Sequence, residues 1–197
     1  MDRIIHLLRV GEADCSYIIN LRKDLQWAFR TYQLEVKIIS EKIVLNELHF
    51  NSLRKQYDAP QILRDIVLFI QKKSYFRTLG ILDEDIYSRF QNFIFGLARV
   101  PEKQFLPYSG VSLISLTRLK EKFYRRETDR ALEELRVLKE ALHELGHTFG
   151  LPHCQNKGCV MKFSEKLTDT DNKTPQFCHK CQEKLECFFQ DLEYINM

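Results

Sequence analysis

HELGHTFGLPHCQNKGCVM, residues 143–161, gathers three histidines, a glutamate, two cysteines and a methionine into nineteen positions. His143 and His147 are four apart, so on a helix both imidazoles leave one face and can hold a single ion. Zinc takes neutral imidazole nitrogen, and a catalytic site keeps three protein ligands with one position open to water. Glu144 falls one residue further round, where it can face that water without becoming a ligand, as a general base must. Gly150 lets the helix stop in a left-handed cap, and Pro152 stiffens the way out. A chain turning sharply there can return His153 as third ligand. Given this composition, a bare HExxH arises by accident in about one chain in a hundred, and adding Gly150 and His153 lowers that to roughly one in 10⁵. The spacing therefore predicts a catalytic-type zinc site rather than histidines scattered on an amphipathic helix. Gly146, inside the helix at a cost of about 1 kcal/mol against alanine, is expected to admit a close neighbour.

Downstream, Cys154-x₄-Cys159 and Cys178-x₂-Cys181 are two thiolate pairs separated by eighteen residues. Each can chelate, and together they predict a closed, structural four-cysteine zinc site. Two disulfides, scattered buried thiols, or Cys154 occupying the open position on the first zinc are the competing readings. In an extended segment successive side chains point to opposite sides, so His153 can serve one zinc and Cys154 the other. His179, inside the CHKC knuckle, is expected to point outward. Cys15 and Cys187 have no partner at suggestive spacing and read as small core residues.

The 197 residues fit one domain with a real core, and 44% apolar with 29% charged residues is an ordinary globular composition. A net charge of +3 argues against nucleic-acid binding. The basic cluster Lys120, Lys122, Arg125, Arg126 and Arg130 is interleaved with Glu121, Glu127 and Asp129, as on a solvated face. No stretch approaches a membrane span, and the N-terminus reads as a first strand, with neither signal peptide nor latency segment before it. A cytoplasmic setting with reduced thiols is the expectation.

Periodicity predicts strands at 2–10, 34–40, 77–82, 92–99 and 111–119, with loops holding Asp83, Asp85, Pro101, Pro107 and Gly110 between the last three. Helices are expected over 14–30, from Asp58–Pro60 to about Lys73, from a Thr128 cap to Gly150, and over 181–195. Residues 41–59 read as a loop with one short element. The order suggests an α/β (α+β) architecture: a mixed five-stranded sheet covered by helices, then an irregular, zinc-stapled C-terminal part. It is read as a single catalytic domain, 1–197, in which 1–150 and 151–197 form two subdomains.

HExxHxxGxxH followed by a methionine resembles the metzincin pattern. The added C-x₄-C-x-M and the later CxxC resemble its archaemetzincin branch, with sixteen residues between Met161 and Cys178 where one more is expected. "RKQYDAPQIL", "NFIFGLARV" and "VSLISLTRL" look like that branch's N-terminal elements. The resemblance implies a twisted mixed sheet over an active-site helix, with His143, His147 and His153 on a catalytic zinc and Glu144 as base. It also implies Met161 as an apolar Met-turn floor, no tyrosine ligand in the following "KFSEKL", and substrate along an edge strand at 92–99. The expected activity is that of a zinc metalloprotease: peptide-bond hydrolysis by a zinc-bound water that Glu144 activates, in a monomer acting on peptide or protein without nucleic acid or membrane. Two zinc ions per chain are implied. The alternative is a zinc-stabilised protein-binding module with an occluded or vestigial site, which would not require Glu144.

Overall fold

The computed structural model describes residues 3–73, 75–99 and 110–195. In chain order these form β1 (Ile4–Val10), α1 (Cys15–Ala28), β2 (Glu35–Ile43), β3 (Phe50–Asn51), β4 (Gln56–Asp58) and α2 (Ala59–Ile70). Then follow β5 (Arg77–Leu82), β6 (Ile86–Tyr87), β7 (Gly96–Arg99), β8 (Gly110–Ser115), α3 (Arg130–Thr148), α4 (Leu167–Asn172) and α5 (His179–Ile195).

One sheet runs β2-β1-β5-β8-β7, parallel except for β7, which pairs antiparallel with β8 through Gly96↔Ile114 and Leu97↔Leu113. This is the five-stranded mixed sheet expected. β5 and β8 are buried at every position because both faces are covered, as parallel strands require. On one face Ile5, Leu7, Leu79, Ile81 and Ile114 pack with α1, α3 and α5. On the other, Leu8, Val10, Leu82, Val111 and Leu113 pack with α2. The first core also takes in Leu151, Val160, Met161 and Leu167, so residues beyond Gly150 share one interior with the sheet.

Several boundaries differ from the sequence reading. The strand expected over 111–119 stops at Ser115, and Thr117–Leu119 forms a 3-10 turn that buries Leu119, a residue an alternating pattern cannot tell from strand. Gly110 begins β8 and is not loop. Of 92–99 only Gly96–Arg99 is strand; Phe95 O still accepts from Ser115 N at 2.8 Å. Asp129 caps α3, accepting from Leu132 N at 3.0 Å, and Thr128 does not. Residues 41–59 continue β2 and then supply β3 and β4, which form a three-stranded sheet with β6. α4 went unrecognised, being too short to show a period. The loop around Pro101 and Pro107 lies outside the described residues.

Asp58 caps α2 through Gln61 N with Pro60 in the first turn, as its sequence indicated. The basic cluster is met by carboxylates: Lys120 pairs with Asp83, Arg126 with Glu121 and Arg130 with Glu134. Among the described residues no helix is long and apolar enough to cross a membrane.

Candidate active site and metal centres

α3 ends as its sequence demands. Gly150 has φ +83°, Gly150 N bonds to His147 O at 2.9 Å and Leu151 N to Gly146 O at 3.1 Å. This is a Schellman motif with glycine at its left-handed position. The chain therefore reverses at Gly150, and His153 returns to the two helical histidines. The ligand-capable nitrogens of His143, His147 and His153 all lie within 4.8 Å of one another.

The donor set suits zinc. His143 Nδ1 bonds to Val160 O and His147 Nδ1 to Leu151 O, each at 2.8 Å. Donating from Nδ1 leaves each Nε2 lone pair free, and these two Nε2 atoms stand 3.1 Å apart. Tetrahedral coordination at about 2.0–2.1 Å places such nitrogens about 3.3 Å apart. Burial lowers the pKa of all three imidazoles, His143 to about 4, so each is neutral at pH 7, the form that binds metal.

The four cysteines form a second cluster. Cys154 Sγ lies 3.7 Å from Cys178 Sγ, and Cys159 Sγ 3.7 Å from Cys181 Sγ. A disulfide needs about 2.05 Å, whereas sulfurs on one tetrahedral zinc sit about 3.8 Å apart. Backbone N–H groups of Asn156 and Cys178 point at Cys154 Sγ and Cys159 Sγ at 3.4 and 3.3 Å. Burial raises the Cys159 and Cys181 thiols. At Cys178 the same effect is outweighed by hydrogen bonds from Cys181 N–H and the neighbouring thiols, leaving it at about 7. His179 points outward beside Glu183, as expected.

The turn through Met161 joins the clusters. Val160 O holds His143, while Met161 O accepts from Cys154 N at 2.9 Å. Met161 is fully buried, and a Cβ on Gly146 would overlap its Sδ, which is why the helix carries glycine there. Phe163, in the segment after the turn, stands 5.0 Å from the His153 ring.

A cleft of about 580 Å³ opens over the histidines, walled by residues 91–98 and by Phe163, Ser164 and Glu165. Its long wall includes β7, one of the two outer strands of the five-stranded sheet. Glu144, 5% exposed, also lines it. Its side chain lies so close to β7 that a Cβ on Gly96 would sit 2.6 Å from Glu144 Cγ and 2.7 Å from Oε1. Burial, then the Glu140 charge, raises the Glu144 pKa well above the usual carboxylate range, with Lys173 opposing.

A family model for peptidase family M54 matches residues 1–187. The chain belongs to this family. The archaemetzincin of Pyrococcus furiosus is 36% identical over 187 residues, covering 94% of each chain. That of Sulfolobus acidocaldarius is 42% identical over 179 residues, covering 91% of this chain and 94% of the relative. A zinc-dependent peptidase from Methanocorpusculum labreanum has the same fold, with TM-score 0.77 at 28% identity, covering 92% of this chain and 99% of that one. This M54 member is thus a zinc metallopeptidase of the archaemetzincin type, acting on peptide or protein substrates.

The sequence singled out every histidine and cysteine of the two clusters. It misjudged Cys15 and Cys187, which are exposed: on α1 the buried face runs through Tyr17, Ile18 and Leu21, and on α5 through Cys181, Leu185 and Phe189. Three features in or behind the cleft escaped it. Gly96 had a signal, a glycine inside a strand pattern, which often marks close backbone approach. Glu140 sits at helical spacing from Glu144. Nothing local marked Lys173, its partner.

Proposed function

We propose that His143, His147 and His153 hold the catalytic zinc and that Glu144 is the general base and acid of peptide hydrolysis. The observation that carries this reading is that Glu144 lines the same cleft as three mutually close imidazoles, with its carboxylate against the edge strand β7. Zinc held by those imidazoles supplies a Lewis acid that polarises a carbonyl and makes water acidic. Glu144 takes the attacking water's proton and returns it to the leaving amine. Its burial beside Glu140 raises its proton affinity, which suits a group that must retain a proton between those two transfers. The outer edge of β7 offers backbone N–H and C=O groups to a substrate lying extended along it.

Cys154, Cys159, Cys178 and Cys181 hold a second, structural zinc, giving two ions per chain. Met161 is the Met-turn residue, a floor beneath the imidazoles that contacts Gly146. The chain acts as one catalytic domain in which 1–150 supply sheet and active-site helix and 151–197 supply the Met-turn and sulfur site. Four thiols held as metal ligands suit the reducing cytoplasm, and the protein works there as a monomer, without nucleic acid or membrane.

Glu144→Ala, assayed for zinc content and against a broad peptide library, tests the central assignment. Unchanged zinc with lost cleavage is expected. Cleavage by the variant at the wild-type rate would sink it.

A further inference from the structure

Glu140 stands one turn before Glu144 on α3 and lines the same cleft, yet is only 3% exposed. Its Oε1 accepts from Thr170 Oγ1 at 2.9 Å and from Lys173 Nζ at 3.2 Å. Lys173 is equally buried and also donates to Lys162 O at 3.2 Å, beside Met161. Oε1 is therefore turned towards α4 and the segment after it. Oε2 has no protein partner among the described residues, and it is not sealed away from solvent. It is the oxygen left to meet a ligand in the cleft.

The charge of the cleft points the same way. Among the described residues that line it, Glu140, Glu144 and Glu165 are carboxylates and none is lysine or arginine. A buried ion pair contributes less to stability than apolar residues of the same size would, so stability alone is a weak reason for one under a substrate cleft. Residues four apart share a helix face, which puts Glu140 beside the group that protonates the leaving amine.

We propose that Glu140 is a specificity-determining residue, which accepts a hydrogen bond from a basic side chain, lysine or arginine, on the substrate residue that carries the leaving amine. Lys173 and Thr170 fix the carboxylate so that one oxygen is presented. The inference rests on the assignment of Glu144 made above.

The experiment profiles cleavage of a peptide library by the zinc-loaded enzyme, reading the residue just after each cut by mass spectrometry. A charge-assisted hydrogen bond predicts a preference for lysine and arginine there of about ten- to a hundred-fold over leucine or glutamate. Glu140→Gln combined with Lys173→Met removes both charges, so neither is left buried alone. That variant is expected to keep its zinc and to cut basic and non-basic sites alike, the preference being lost whatever the overall rate becomes once the charges beside Glu144 are gone. Cleavage by wild type without basic bias, or the same bias in the double variant, overturns the proposal while leaving the peptidase reading intact. If wild type cuts no peptide, the assignment of Glu144 falls, and binding judges Glu140 separately. Fluorescent alanine-rich peptides bearing one lysine or one glutamate are titrated into zinc-loaded Glu144→Ala. Tighter binding of the lysine peptide, abolished by the Glu140/Lys173 changes, supports the inference. Equal binding of the two peptides, or a difference that survives those changes, refutes it.

Discussion

Gly96→Ala tests how Glu144 is positioned. The added Cβ would fall 2.6 Å from Glu144 Cγ, 2.7 Å from Oε1 and 2.8 Å from Cδ. Comfortable carbon contacts lie at about 3.5–4.0 Å, so the carboxylate and β7 must separate by about 1 Å. α3 is anchored along nineteen residues and its backbone is buried around Glu144. The side chain or the short edge strand therefore moves, while His143 and His147 stay bound to their backbone carbonyls. A 1 Å misplacement of a reacting group costs on the order of 10² in rate, about 2.7 kcal/mol in the barrier. The assay is steady-state cleavage of a peptide that wild type cuts, beside zinc analysis and a thermal melt. A fall of about a hundredfold in kcat is expected, with full zinc occupancy and an unchanged melt. Activity within threefold of wild type would refute the reasoning. Zinc lost in step with activity would refute it too, because the ligands and not the base would then have moved.

Two zinc ions per chain are expected by elemental analysis, and Cys178→Ser with Cys181→Ser should leave one, bound more weakly because His153 adjoins Cys154. A single ion in wild type that survives both substitutions would remove the sulfur site, and undiminished activity in that variant would remove the coupling. Gly150→Ala places a side chain at φ +83° with no atom within 4 Å of it, so backbone strain acts alone. A loss of about 1–2 kcal/mol in denaturant unfolding follows, and an unshifted midpoint would contradict it. In metal-free protein, burial lowers His143 to about 4 from 6.5. The unfolded chain then binds the extra proton between those values, so stability falls as pH drops from 6.5 to 4, by up to about 3 kcal/mol. Chelated protein whose unfolding midpoint stays flat over that window would show that the imidazole is not buried neutral.

The legible parts of this protein are those whose physics is local. HExxH at helical spacing, glycine at the cap, and histidine and cysteine at chelating intervals depend on a few consecutive residues. So they could be read from 143–161 and "CHKC" alone. β5, with both faces buried, and α2, with Asp58 and Pro60 at its start, were legible for the same reason. Alternation could not say where β8 yields to a 3-10 turn, since Leu116 and Leu119 are buried either way. Nor could it show that Cys15 and Cys187 face outward, since burial depends on which helix face meets the sheet.

By itself, then, the sequence determined the histidine and cysteine clusters, Glu144 beside them and the helix that carries them, because backbone periodicity and chelating intervals fix those at short range. Tertiary structure decided what surrounds them. Chain pairing made β7 an edge and brought Gly96 against Glu144; packing of α4 on α3 joined Glu140 to Lys173, thirty-three residues away. Such contacts depend on how separate elements meet, and no window of consecutive residues contains that information.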